Sequence, residues 1–151
     1  MISLNAAIDL LKNVQVEAIL GPQTSAQADF IIDLGNKAKV PVISSAASPS
    51  LSPKESPFFV RAAHCSSSQA TAIAEIIKTF GWRKAVLVYE DSLYGSGIVP
   101  FLTDAMLESN TIVSYRSVIS PAASDDQILE ELYKLITMQT RVFVVHLLPS
   151  L

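Results

Sequence analysis

The sequence predicts an α/β fold built on parallel sheets, and three observations carry that prediction. Short runs rich in Val and Ile alternate with segments of helical period. The helical segments collect their apolar residues on one face. The runs end in Gly, Pro, Ser and Thr, residue types that break strands and start helices.

The chain opens on a helical segment, about Leu4 to Val14, with Ala7, Leu10, Leu11 and Val14 on one stripe and no strand ahead of it. Strands are expected near Val16 to Leu20, Val40 to Ser44, Phe58 to Ala62, Lys84 to Tyr89, Ile112 to Ile119 and Arg141 to Leu147. Between them, Ala28, Ile31, Ile32, Gly35 and Ala38 line one helical face, as do Ile73, Ile76, Ile77 and Phe80 in a segment stopped by Gly81. Ile98, Phe101, Leu102, Ala105 and Met106 form a third stripe, and Ile128, Leu129, Leu132, Leu135 and Ile136 a fourth. Each stripe is expected to pack on a sheet. Ser124 and Gln127 offer the last helix a capping box, with Asp125 and Asp126 suited to its first-turn dipole. The run VFVVHLLPSL reads as a buried strand with no helix after it. Together with the strandless start, this predicts that both ends lie inside a larger fold. The segment from Ser48 to Pro57, with prolines at 49, 53 and 57, is the candidate Pro/Ser-rich connection between lobes.

Bulk properties narrow the function. A chain of 151 residues, half hydrophobic and 17% charged, can bury a core. Its net charge of −3, with scattered Lys and Arg, gives no footprint for nucleic acid or an anionic membrane. No apolar run reaches the roughly 20 residues of a membrane helix, and the start lacks the pattern of a signal peptide. Cys65 has no second cysteine to pair with, and Asn-x-Ser/Thr acceptors are absent.

In an open α/β sheet, ligands meet the carboxyl ends of the strands. The first strand delivers GPQTSAQ there, where Gly21 and Pro22 break the strand and Thr24 or Ser25 can cap a helix whose amides suit a carboxylate or phosphate. The second delivers SSAASP, with small side chains and hydroxyls that both donate and accept. The third delivers RAAHCSSSQ. Helix capping explains any one of these loops. Three in succession describe a neutral, hydroxyl-lined surface suited to binding and short of catalytic groups. His64 and His146 lack metal-ligand spacing and read as structural histidines. No G-x-S-x-G elbow presents a serine, so a triad of Ser25 or Ser48 with His64 has no support. YGSG, Tyr94 to Gly97, lacks the rest of a dinucleotide fingerprint, and there is no phosphate-loop motif. No metal or cofactor is expected. Glu90 and Asp91, ending VLVYED, read as solvated loop acids; the functional alternative is pairing with a ligand amine.

Long stretches carry a resemblance: ILGPQTSAQADFIIDLGNKAKVPVISSAASPSLSP, FFVRAA, an S-x-Q-A helix and FGWRKAVLVYEDSLYGSGIVPFL. These resemble the receptor-family ligand-binding region, the type I periplasmic-binding-protein-like fold. With YRSVISPAASDDQILEELYKLITMQTRVFVVH, the chain is most similar to the amino-terminal domain of plant glutamate receptor-like channels. The resemblance implies two α/β lobes with ligand in the cleft between them. Residues 1–66 would be the later part of lobe one and 67–151 the first part of lobe two, incomplete at both ends. It implies an extracellular, non-catalytic module of an amino-acid-gated cation channel that binds a small amino-acid-like ligand and contacts other receptor subunits. Membrane attachment would come only through parts outside this chain. By the same comparison, Ser25 matches a hydroxyl that holds the ligand carboxylate, and Ala47 and Ser48 match the loop that meets the ligand amine. Tyr94 matches the lobe-two aromatic that closes over the ligand. Cys65 to Ser68 depart from glutamate-binding relatives, which often carry an acid there. The alternative is a module without ligand that serves subunit assembly. Apolar faces left without partners predict poor solubility in isolation.

Overall fold

The computed structural model describes residues 4–148. The chain divides into two compact units, Met1–Ser66 and Ser67–Leu151. The Pro/Ser-rich segment from Ser48 to Pro57, expected to connect lobes, lies wholly inside the first unit. Its turns are closed locally, by Leu51 N–H donating to Ser48 C=O at 3.2 Å and Glu55 N–H to Ser52 C=O at 3.1 Å.

In the first unit, helix α1 (Leu4–Asp9) runs into a π-helical turn (Leu10–Val14). Strand β1 (Ile19–Leu20), helix α2 (Ser25–Ala38), β2 (Val42–Ser44) and β3 (Phe59–Arg61) follow. The sheet is parallel, in the order β1-β2-β3, with Ile19 level with Val42 and Val42 with Phe59. Its strands are shorter than the expected ones because neighbouring amides are already taken. Val16 N–H donates to Leu10 C=O at 3.2 Å and closes the π turn, while Val40 N–H donates to Gly35 C=O at 3.0 Å and closes α2. Pro41 has no N–H to give, so β2 starts at Val42. Phe58 N–H goes to the Asn36 side chain at 3.2 Å. The face holding Ile19, Val42, Ser44 and Phe59 is buried, with Ala28, Ile31, Ile32 and Gly35 of α2 also in the core. Ala38 does not follow them. It sits at the last position of α2, beside the left-handed Lys39 cap, and is exposed. Val14 is exposed as well, because the π turn rotates it off the Ala7 stripe.

The second unit contains α3 (Ser66–Thr79, entering from the last residue of the first unit), β4 (Lys84–Glu90), α4 (Leu93–Glu108), β5 (Ile112–Ile119), α5 (Asp125–Ile136) and β6 (Phe143–His146). Its sheet is also parallel, in the order β5-β4-β6. A bulge between Ala85 and Val86 leaves Ser114 without an opposite residue, and its hydroxyl donates to Ala85 C=O at 3.1 Å. β4 is central and buried on both faces. Ala85 and Leu87 join Ala70, Ile77, Ile98, Leu102 and Met106 of α3 and α4, and Val86 and Val88 join Ile119 and Leu135.

The helical stripes are only partly covered. Ile76, Phe80, Phe101, Leu129, Leu132 and Ile136, expected to face a sheet, are exposed. In α3 the buried ridge is Ala70, Ala74 and Ile77, so small residues make the close approach and the larger ones flank it. α5 meets its sheet through Leu135, the half-buried Ile128 and Glu131, which accepts the Ser117 hydroxyl at 2.8 Å, and leaves an apolar groove of about 330 Å³ beside Phe143 and Val145. β6 therefore is not the buried strand that VFVVH promised: Val145 is 60% exposed. The end of that expected run, residues 149–151, lies outside the described residues. The capping box is present, with Ser124 Oγ accepting Gln127 N–H at 3.4 Å and Gln127 Oε1 accepting Ser124 N–H at 3.0 Å.

Candidate functional site

Each unit presents polar groups at the carboxyl ends of its strands. In the first, Gly21 leaves β1 with a φ of 113°, a backbone conformation favoured by glycine, and precedes a cis bond to Pro22. Thr24 is the cap position of α2 but makes no side-chain capping bond. Ser25 turns inward instead. It is buried, and its hydroxyl oxygen accepts Ser48 N–H at 3.3 Å. Ser48 is fully buried and its hydroxyl pairs with that of Ser50 at 2.8 Å. Ala47, half-buried, accepts Ser66 N–H on its carbonyl at 2.9 Å. Ser44 donates to Pro22 C=O and accepts Ala46 N–H at 3.0 Å.

Arg61 at the end of β3 ties this loop down. Its guanidinium donates to Ala46 C=O at 3.3 Å, to Ser48 C=O at 3.0 Å and to Leu51 C=O. It also stands 5.7 Å over the Phe59 ring. A planar fork with five donors can satisfy three carbonyls that no strand neighbour reaches. Sequence reading passed over Arg61. The available signal was a lone cation inside the apolar run FFVRAA.

Ser25, Ala47 and Ser48 are thus brought together, through bonds among themselves and to Ser50, Ser66 and Arg61. The groups left open nearby are Gln23, Thr24, Gln27 and Ser45, which line a recess of about 760 Å³ with Gly21, Ile43 and Ala62. His64 is exposed and Cys65 half-buried.

In the second unit the strand ends gather Glu90, Tyr94 and His146. Glu90 is not a solvated acid. It is 2% exposed, accepting the Ser92 hydroxyl on one oxygen and Leu148 N–H at 2.9 Å on the other. Asp91 alone keeps the expected exposure. Ser92 caps α4 by accepting Gly95 N–H at 3.1 Å, so one hydroxyl links the buried carboxylate to the helix start. Gly95 is required there: a Cβ would fall on the Glu90 carbonyl oxygen and 2.7 Å from Glu90 Cγ.

Tyr94, half-buried, stacks on His146 with ring centroids 4.2 Å apart and planes 24° apart. Burial, and then the Glu90 carboxylate, raise the Tyr94 hydroxyl above its ordinary pKa. Burial lowers the His146 imidazole below its usual 6.5, against the opposing effects of a hydrogen bond to the Tyr94 backbone and of Glu90. His146 is 9% exposed, and its Nε2 has no hydrogen-bond partner among the described residues. Such a nitrogen is a neutral acceptor or donor held next to an aromatic face. No group of three or more His, Cys, Asp or Glu side chains suited to a metal ion occurs among the described residues.

Hydroxyl-rich strand ends, a capped helix start and a stacked aromatic pair offer groups suited to recognition. Residues 2–150 match the receptor family ligand binding region. The chain belongs to this family. It is 55% identical to glutamate receptor 2.7 of Arabidopsis thaliana over 148 residues, which is 97% of this chain and 16% of that receptor. Glutamate receptor 2.4 of the same plant is 55% identical over 94% of the chain, and glutamate receptor 2.5 is 55% identical over 97%. The chain thus spans about a sixth of the length of these receptors, each covered to 16%. Among the described residues, no helix is long and apolar enough to cross a membrane.

Proposed function

We propose that the chain is part of the extracellular ligand-binding module of a plant glutamate receptor-like, amino-acid-gated cation channel. It takes a small amino-acid-like ligand at the carboxyl ends of its strands and performs no catalysis. The observation that carries this reading is 55% identity to glutamate receptor 2.7 across 97% of the chain. The hydroxyl-rich strand ends support it. Residues 1–66 and 67–151 are portions of two lobes, a reading supported by the division of the chain after Ser66. Ser25 and Ser48 fix the shape of the first unit's loop, and Ala47 offers the second lone pair of its carbonyl to a ligand amine. Tyr94 gives the ligand an aromatic face. Other receptor subunits are its protein partners, and the membrane is reached only through the rest of the receptor.

Thermal melting with a panel of amino acids tests the ligand reading. A ligand that binds the folded chain raises its melting temperature in proportion to RT ln(1 + [L]/Kd). A concentration-dependent rise with at least one amino acid is expected. A flat response to all of them favours a module of subunit assembly without ligand, a reading that draws on the internal hydrogen bonding of Ser25 and Ser48.

A further inference from the structure

At the amino-terminal edge of the second unit's sheet, opposite the strand ends described above, aromatic and cationic side chains share one exposed patch. Phe80 and Trp82 stack with centroids 4.9 Å apart and planes 15° apart, yet are 66% and 39% exposed. The turn that carries them is fixed. Trp82 N–H donates to Ile77 C=O at 3.1 Å, and Trp82 C=O accepts the Thr111 hydroxyl at 2.9 Å. Beside Trp82 lies a recess of about 440 Å³ that Arg83, Lys84 and Arg141 line together with Gln139 and Thr140, and among the described residues no carboxylate lines it. Arg141 gives one guanidinium N–H to Ile136 C=O at 2.9 Å and keeps its charge unpaired among the described residues. A smaller recess of about 230 Å³ on the other side of Trp82 contains Lys78 and Glu108. Lys78 is paired there with Glu75 at 3.2 Å.

A rigid aromatic pair left in water and three cations around a concavity, on a chain of net charge −3, form a surface that favours a partner of opposite sign. Exposed Trp and Arg are also the residue types that dominate interface energies. We propose that this patch docks an acidic protein segment, one bearing carboxylates beside an apolar side chain. The carboxylates enter the Arg83–Lys84–Arg141 recess and the apolar side chain covers the Phe80–Trp82 stack. A concave recess with its cations on a fixed strand edge suits side chains. A bilayer surface is better met by a basic amphipathic helix, and among the described residues of the second unit neither α3, α4 nor α5 carries that pattern. The site does not depend on ligand binding at the opposite edge.

Trp82 is the chain's one tryptophan, so its fluorescence reports this patch alone. The 151-residue chain is titrated with the peptide acetyl-Glu-Glu-Phe-Glu-Glu-amide, with its Lys-for-Glu counterpart, and with phosphatidylcholine vesicles containing phosphatidylserine. The acidic peptide is expected to shift the emission saturably. Its affinity should fall as salt rises from about 0.05 M to about 0.5 M, and by about tenfold or more in the Arg83→Glu, Lys84→Glu double variant. Lys54→Glu, in the exposed loop of the first unit, should leave it unchanged. Equal binding of the lysine peptide, or no saturable shift with the acidic one, overturns the proposal. So does affinity indifferent to salt in the unmodified chain, a result that stands even where the double variant fails to fold. A shift with anionic vesicles alone replaces the protein partner by a membrane and overturns it too.

Discussion

The hydroxyl of Ser25 accepts the backbone N–H of Ser48 at 3.3 Å, joining the start of α2 to a loop 23 residues further on. A serine at a helix start ordinarily serves the helix. Here Thr24 holds the cap position without a capping bond, and Ser25 holds the loop. The serine-rich stretch after β2 is therefore shaped from within, by Ser25, Ser48 and the guanidinium of Arg61, and the polar side chains lining the recess beside it are those of Gln23, Thr24, Gln27 and Ser45.

Arg61→Met should destabilise the first unit by about 2 kcal/mol, since three carbonyls lose a charged donor while the apolar stem is kept. Arg61→Lys should recover little, because an ammonium cannot reproduce the fork. Urea denaturation gives the energy. Hydrogen exchange of the amides from Ala46 to Leu51 should quicken in both variants before the helices respond.

Gly95→Ala and Gly81→Ala separate two kinds of glycine. At Gly95 a methyl group meets the Glu90 backbone and Cγ, an overpacking expected to cost about 1–3 kcal/mol. At Gly81 there is open space but a φ of +69°, so the cost is conformational, about 1 kcal/mol. Thermal melts should rank Gly95→Ala as the more damaging. The reverse order would mean that the α4 start is not seated on Glu90.

Glu90→Gln leaves an amide where two donors, the Ser92 hydroxyl and Leu148 N–H, now point at carboxylate oxygens. One donor must lose its acceptor, at a cost of about 1–3 kcal/mol. Exchange at Leu148 and at Gly95 should quicken together, because Ser92 connects the two. An unchanged melting temperature would contradict the role of Glu90 as a buried clasp.

His146 makes the second unit sensitive to acid. Burial depresses its folded pKa below the unfolded value of 6.5, so the unfolded chain binds the proton more readily. The stabilisation is complete above about pH 6.5 and is lost as pH falls below that value toward the folded pKa. His146→Phe should keep the stack on Tyr94 and flatten the pH dependence of melting in that window. Equal slopes in variant and unmodified chain would refute this source of acid sensitivity.

The sequence disclosed what depends on local pattern. β5 spans Ile112–Ile119, the bounds expected for that Val- and Ile-containing run, and the Ser124/Gln127 box is where its spacing puts it. What it did not disclose depends on which tertiary neighbour arrives. Val16 and Val40 have strand character, but their amides close the helices before them, and β1 and β2 start late. Glu90 looks like any loop acid until Leu148 and Ser92 surround it, and Arg61 like any strand cation until three carbonyls turn toward it. The apolar stripe of α5 is legible, yet only Leu135 of its residues is buried against the sheet. For the candidate site, position at strand ends was readable, whereas the inward turn of Ser25 and Ser48 required the backbone of a distant loop.

Calorimetric titration of the chain with a panel of amino acids tests the ligand-binding account most directly. The account predicts saturable heat with at least one amino acid, weakened about tenfold or more by Tyr94→Ala and also reduced by Ser48→Ala, which removes the Ser48–Ser50 hydroxyl pair from the loop. No heat from any amino acid, or saturable heat that both substitutions leave unchanged, would contradict it.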